Sequence, residues 1–519
     1  MLFPTITFAV FFLLVFVGNW LLMPRPRLWK PFILLASLVF YGWWEWRFVL
    51  LLALSAVANQ LLARAIERAA GAASRKWLLA AAVAVNLGVL GWFKYYGFFV
   101  TSVVNFLGVF HLNADLPLLR IVLPVGISFL TFRVLSYVID VYRGKLHTSS
   151  LLDFAVYVAF FPYIMAGPIT RASEFLPQLA GPRDPRRIDT SRAFFLIFAG
   201  LAKKMLLADY LATHIVNGVF TTPGQYTSLE TLLGIIGYAV QIYCDFSAYA
   251  DIAIGISLLL GFELPDNFNA PYTALSVQDF WRRWHMTLSR WLRDYLYIPL
   301  GGNRKGQTRT YANIMITMVL GGLWHGAGWP FIFWGFLHGG AQVVEHRRVD
   351  LRKLRARRRP RAAAPPLDDS GDLGRSTEAL AALAAGGPAA GRAAGAPPGP
   401  PDVDTRPWGG GVWPRLGVFA FVTFAWVFFR STTFGAALSV LAQLFRGWGS
   451  VGAAVTPVLL LVIAVGIGVQ YVPRSLYERV EAGFSVLNPL VQGALLAVGF
   501  MLLDVLGPSG PATFLYFRF

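Results

Sequence analysis

Apolar runs of membrane-spanning length recur along almost the whole of this sequence, and a chain built that way folds in lipid rather than in water. A helix crosses the hydrocarbon core with about 20 predominantly apolar residues. Runs of that kind occupy residues 5–23, 31–63, 77–110, 116–139, 151–167, 193–216, 231–262, 314–344, 416–429, 458–471 and 490–506. The longest hold two spans, or one span and a buried helix, which predicts about eleven transmembrane helices. Only 14% of the 519 residues are charged, where a soluble domain carries about a quarter. The expected fold is all-α, a polytopic integral membrane protein.

The first run begins at Met1 with no basic residue ahead of it and no small-residue cleavage pattern behind it, which predicts a retained helix. The basic segment from Pro24 to Lys30 follows at once. Short basic loops stay in the cytoplasm, so the N-terminus is expected outside and residues 64–76, also basic, inside. The net charge of +18 is what such loops produce, and no nucleic-acid partner is needed to explain it. Cys244 is the only cysteine, so disulfides within the chain and thiolate metal sites are excluded, and no metal site is expected.

An arginine-rich run from Arg347 to Arg361 precedes a stretch of Ala, Gly and Pro that has little to bury. The chain therefore divides into a membrane domain (1–346), a loop expected to be disordered and cytoplasmic (347–412), and the last helices of the same domain (413–519). The loop's arginines favour anionic headgroups. The aromatic run 514–519 is expected at the membrane interface.

Between Thr310 and Val344 there is no Lys, Arg, Asp or Glu, yet His325 lies mid-run among four glycines and Pro330. Ionisable groups at membrane depth usually face a cavity or a partner. Backbone broken by Gly and Pro is tolerated there only when it is buried in protein or lines a wet cavity. His325 is therefore a candidate for lining a tunnel or pocket; a histidine that merely hydrogen-bonds two helices together fits the sequence equally. His338 is read as a bridge of that second kind.

Residues 280–295 sort at about 100° per residue into two faces. Trp281, Trp284, Leu288, Trp291, Leu292 and Tyr295 share one, and Arg282, Arg283, Arg290 and Arg293 the other. The pattern predicts an amphipathic helix at the membrane surface with its aromatics as anchors. His285 falls at the edge of the apolar stripe and is expected to point into protein. These parts suit acyl transfer from a thioester to an alcohol, in which a neutral imidazole takes the hydroxyl proton as the oxygen attacks the carbonyl. No Gly-x-Ser-x-Gly elbow occurs and Cys244 sits among apolar residues, so direct transfer is simpler than a covalent enzyme intermediate.

At these residues the chain resembles the membrane-bound O-acyltransferase family, in its bacterial branch of alginate O-acetyltransferase membrane subunits and D-alanyl transfer proteins of teichoic acid modification. The resemblance is carried by PVGISF (124–129), FPYIMAGPI (161–169), YCDFSAYAD (243–251), LPDNF (264–268), FWRRWH (280–285), WLRDYLYIPLGGN (291–303) and LWHG (323–326). It covers nearly the whole chain outside the arginine-rich insertion.

That resemblance implies helices around a central tunnel, His325 as the catalytic base, His285 as a second active-site histidine, and substrate-binding positions at Trp324, Asn267, Asp245, Ser247 and Asp251. The last four suit hydrogen bonding between helices as well. It implies no bound cofactor, a cytoplasmic donor such as acetyl-CoA or another acyl thioester, and the bacterial inner membrane. The acceptor would be an extracytoplasmic polysaccharide, reached directly or through a separate periplasmic acyltransferase. D-Alanine or another acyl group delivered by a carrier protein is the alternative cargo. From other classes, a transporter with a histidine-lined site fits the glycine-broken segment, and a structural scaffold for polysaccharide export is a third reading.

Overall fold

The computed structural model describes residues 1, 3–112, 116–358, 411–507 and 514–515, with residues 352–358 as backbone alone. Among the described residues the secondary structure is helical, with no strand. The first half contains α1 (Ile6–Leu22), α2 (Pro26–Gly42), α3 (Arg47–Arg68), α4 (Ala72–Leu90), α5 (Tyr96–Val109), α6 (Ile127–Tyr142), α7 (Leu151–Ala159), α8 (Ala172–Phe175), α9 (Thr190–Ala202) and α10 (Asn217–Thr221). There follow α11 (Ser228–Leu259), α12 (Val277–Arg283), α13 (Met286–Leu292), α14 (Gln307–His325) and α15 (Trp329–Arg358). The last are α16 (Val412–Arg430), α17 (Phe434–Gln443), α18 (Pro457–Gly468), α19 (Arg474–Ser485) and α20 (Pro489–Leu506).

By length and composition, five described elements can cross a bilayer: α3, the 38-residue element Ala72–Val109, α11, α16 and α20. A sixth is available if Pro457–Tyr471 and Arg474–Ser485, bent by 93°, form one broken span. The other apolar runs are interrupted by their own residues. Run 116–139 becomes helical only at Ile127, after Pro117 and Pro124. Run 151–167 leaves the helix at Ala159, ahead of Pro162. Run 193–216 passes from α9 into two π-turns, Lys203–Asp209 and Ala212–Val216.

The buried side chains form two apolar clusters. One unites α1, α2, α3, α6, α7 and α13; the other unites α10, α11, α12, α15, α16 and α17. α14 crosses the seam, with Ile314 and Met318 in the second cluster and Trp324 in the first. The contact between α14 and α15 depends on Gly322 and Gly335, where a Cβ would run into the carbonyl oxygens of Phe331 and Met318. Small residues let the two backbones touch.

A polar network joins the start of α2, the end of α3, the start of α4, the end of α6 and the start of α7. It comprises Lys30–Asp153 (2.5 Å), Gln60 to Ser149 O (2.5 Å) and Arg75 to Tyr142 O (2.8 Å). Arg143 and Arg171 extend it to Asp294, just beyond α13.

Four expectations change. The amphipathic helix over 280–295 is two short helices, α12 and α13, parted at Trp284 and His285. Its aromatic stripe does not anchor at an interface: Trp284 is 1% exposed and Leu288 0%, both inside the protein. Residues 347–358, expected within the loop, continue α15. Residues 347–359 contain good helix formers, and the first helix breaker is Pro360. The remainder, 359–410, lies outside the described residues. Phe514 and Leu515, expected at the interface, are buried; Leu515 N–H donates to Asp245 Oδ2 at 2.7 Å.

Candidate active site

α14 ends at His325, where Gly326 turns to an extended backbone (φ −158°, ψ 146°). A helix leaves its last carbonyls without intrahelical donors. Here Tyr95 Oη donates to Leu323 O at 2.9 Å, and Lys94 Nζ donates to Trp324 O at 2.6 Å, to His325 O at 3.2 Å and to Ser128 Oγ at 3.2 Å. Both donors come from a π-turn, Gly91–Tyr95, set between α4 and α5. The His325 side chain is 4% exposed and lies against three rings, Trp324 at 4.8 Å, Trp334 at 5.2 Å and Phe429 at 5.2 Å between centroids.

His285 occupies the break between α12 and α13 in a left-handed conformation, φ 42° and ψ 54°. That is a sparsely populated region for any residue but glycine. The break has a backbone cause. Met286 N–H donates to Asn267 O and Asn269 N–H donates to Arg283 O, both at 2.9 Å, so the segment 267–269 takes hydrogen bonds that a continuous helix would keep. The His285 ring is fully buried, edge-on to Phe246 at 4.7 Å and 6.5 Å from the His325 ring.

Asn267 fixes the chemistry of His285. Asn267 Oδ1 accepts the Thr287 backbone N–H (3.3 Å) and the Thr287 hydroxyl (2.9 Å), and His285 Nδ1 stands 3.1 Å from it. A backbone N–H only donates, so this Asn atom is oxygen and His285 Nδ1 carries the proton. In the neutral ring Nε2 is then the basic nitrogen. Thr287 Oγ1 in turn accepts Ile169 N–H at 3.0 Å, which ties the segment 161–169 to the same group.

A cavity of about 70 Å³ opens beside His325 and is lined by Lys94, Gly126, Ser128, Phe129 and Trp324 among others. Gly126 sits at φ +76° with Ile164 O 2.6 Å from where a Cβ would be, so this wall admits no side chain. Trp324 is 4% exposed, and its indole N–H has no hydrogen-bond partner among the described residues.

Of the residues singled out in the sequence, His325, His285, Trp324 and Asn267 come together. Asp245, Ser247 and Asp251 are tied elsewhere on α11, to the π-turn after α9. Lys204 bridges Asp245 (2.6 Å) and Asp209 (2.8 Å), and Lys203 reaches Asp251 (2.5 Å) and Ser247 (2.9 Å). His338 accepts the Trp281 indole N–H at 3.2 Å, which joins α15 to α12 as expected. Among the described residues no group of three or more His, Cys, Asp or Glu could hold a metal ion. The sequence reading missed Lys94 and Tyr95; the available signal was a lone lysine inside the apolar run 77–110.

Known proteins share this sequence pattern. The chain is 42% identical to the probable alginate O-acetylase AlgI of Pseudomonas aeruginosa over 66% of each chain. It is 38% identical to a peptidoglycan O-acetyltransferase of Helicobacter pylori, over 66% of this chain and 70% of that one. A teichoic acid D-alanyltransferase of Streptococcus thermophilus is 30% identical over 47% of this chain and 62% of its own. The alignments thus span about two thirds of these relatives. The family model of the membrane-bound O-acyltransferases matches residues 40–364, more than half of the sequence and the part that holds His285, His325, Trp324, Asn267, Lys94 and Tyr95. The chain belongs to the membrane-bound O-acyltransferase family.

Proposed function

We propose that this chain transfers an acyl group, acetyl in the first instance, from a cytoplasmic thioester toward the hydroxyls of an extracytoplasmic polysaccharide, with His325 as general base. The observation that carries the reading is the convergence of two buried imidazoles, 6.5 Å apart, with His325 lining a cavity. His325 accepts the proton of the attacking hydroxyl, the oxygen bonds to the carbonyl carbon, the C–S bond breaks, and the proton leaves with the thiolate as a thiol. Trp324 offers its unpartnered indole N–H to the oxyanion that forms on the way. His285, held as the Nδ1–H tautomer by Asn267, keeps Nε2 as its basic nitrogen, with its ring 6.5 Å from that of His325.

In this reading about eleven spans enclose a tunnel that opens to both faces, the protein sits in the bacterial inner membrane, and a separate periplasmic acyltransferase can complete delivery. Acetyl is favoured over D-alanine because the relatives matched over two thirds of this chain are named for O-acetylation. Asp245 and Asp251, ion-paired to Lys204 and Lys203, and Ser247, hydrogen-bonded to Lys203, tie α11 to the π-turn after α9.

The test supplies purified protein with labelled acetyl-CoA and its extracytoplasmic partner, and compares wild type with folded His325→Ala. Loss of a general base costs about 10²–10⁴-fold, so thioester turnover is expected in wild type and nearly absent in the variant. Equal turnover in both overturns the role of His325. Turnover only from an acyl carrier protein redirects the donor, and solute flux without thioester cleavage favours a transporter.

A further inference from the structure

We propose that the π-turn Gly91–Tyr95 is a device for positioning His325, with Lys94 and Tyr95 as the residues that fix the end of α14. Its kinetic consequence rests on the acyl-transfer reading; its geometric content does not.

The residue that presents the base is the last residue of its helix, and Gly326 and Gly328 follow it. Such an end frays unless something outside the helix holds it, because its final carbonyls lack donors and lipid supplies none. Three successive carbonyls, those of Leu323, Trp324 and His325, receive donors from two successive residues, Tyr95 and Lys94. Neighbours in a regular helix point about 100° apart and do not address one target. The π-turn removes that obstacle: Tyr95 leaves the regular helix at φ −108° and ψ −11°, and helices with such turns often carry them at functional sites.

The chemistry of the lysine fits the task. An ammonium has three protons, and here there are three acceptors, Ser128 Oγ, Trp324 O and His325 O. Its hydrogen bonds are thus committed to the protein, which makes Lys94 a positioning residue. A cation is favoured at a helix C-terminus by the partial negative charge there. Through Ser128 the same group reaches α6, so one ammonium connects α14, the α4–α5 element and α6 around the cavity that His325 lines.

The experiment uses the full chain in lipid nanodiscs, with Lys94→Met, Lys94→Arg and Tyr95→Phe compared with wild type. One readout is the kinetics of acyl transfer from labelled acetyl-CoA. The other is carbethoxylation of His325 by diethyl pyrocarbonate, quantified by mass spectrometry with the exposed His111 and His214 as internal references. Lys94→Met is expected to lower kcat about 10²-fold while thioester KM stays within about threefold, because a displaced base loses proton transfer and not substrate contacts. Lys94→Arg keeps the cation and is expected to recover about a tenth of wild-type kcat; Tyr95→Phe removes one donor of three and costs about tenfold.

The His325 modification rate is expected to change about fivefold or more in Lys94→Met with the reference histidines unmoved, as local opening of the helix end alters access. A Lys94→Met kcat within about threefold of wild type, or a KM that rises in step with the loss, overturns the proposal. If wild type itself turns over no thioester, the acyl-transfer reading fails and His325 reactivity decides: changed supports positioning, unchanged overturns it. Should Lys94→Met fail to fold, Lys94→Arg and Tyr95→Phe decide by the same two readouts.

Discussion

Asn267 shows how one side chain can set the competence of another. Its oxygen receives three polar groups, and the Thr287 backbone N–H forces the identity of that atom. Asn267→Ala releases the His285 tautomer and is expected to lower kcat about 10–10²-fold with little change in KM. Asn267→Asp keeps an acceptor for Nδ1–H and is expected to retain more activity than Ala. Steady-state acyl-transfer kinetics of the two variants check both statements, and equal losses would remove the tautomer from the explanation. Trp324→Phe removes the indole N–H together with the pyrrole half of a buried ring; losing one oxyanion donor is expected to cost about 10²–10³-fold in kcat. A Trp324→Phe enzyme at wild-type rate would leave that ring a wall of the cavity. His325 was legible in the sequence because an ionisable ring stood alone in an apolar run broken by glycines. Lys94 also stood alone, but a lysine can carry its ammonium out to water along its own stem, so its presence did not signal burial.

At the level of elements, periodicity described the faces of 280–295 correctly and the continuity wrongly. The apolar stripe is buried and Arg282 and Arg293 are exposed, yet the helix breaks at His285. The cause is non-local, since Asn267 and Asn269 lie more than a dozen residues upstream and enter no helical pattern of this segment. The left-handed backbone at His285 predicts that, between two variants lacking the ring, His285→Gly is more stable than His285→Ala by about 1 kcal/mol. Thermal unfolding at a single scan rate in one detergent measures the difference; identical midpoints would mean that the turn relaxes once the ring is gone.

Just beyond α13, burial pushes the Asp294 carboxyl up, but hydrogen bonds from Arg293 and Arg171 outweigh it and hold the group below its ordinary range. A depressed carboxylate stabilises the fold above the unfolded value of about 4, and that stability is lost as pH falls through the lower folded value. Wild type is therefore expected to melt above Asp294→Asn at pH 7, with the gap closing below about pH 4. A gap that persists in acid would assign the loss to packing.

Across the whole molecule the site lies on the seam between two apolar clusters: Trp324 belongs to one, Trp334 to the other, and His325 touches both rings. Hydropathy could not locate such a seam, because it reports the solvent of a segment and not which segments meet. It did indicate which end of the bundle is basic. Lys30, Arg75, Arg143 and Arg171 join through Asp153, Tyr142 and Asp294 into one polar end. By the excess of basic residues in inward loops, that end is expected to face the cytoplasm. Arg27 and Arg347 are both exposed, and both belong to basic segments expected on the same side. Cys244 is buried, so Cys244→Ala gives a cysteine-free background into which Arg27→Cys and Arg347→Cys can be placed one at a time. A membrane-impermeant maleimide is expected to leave both unlabelled in intact spheroplasts and to label both after permeabilisation. Labelling of Arg27→Cys from outside would invert the bundle and place the thioester entrance at its other end; labelling of Arg347→Cys alone would show that α15 carries its arginines to the opposite face.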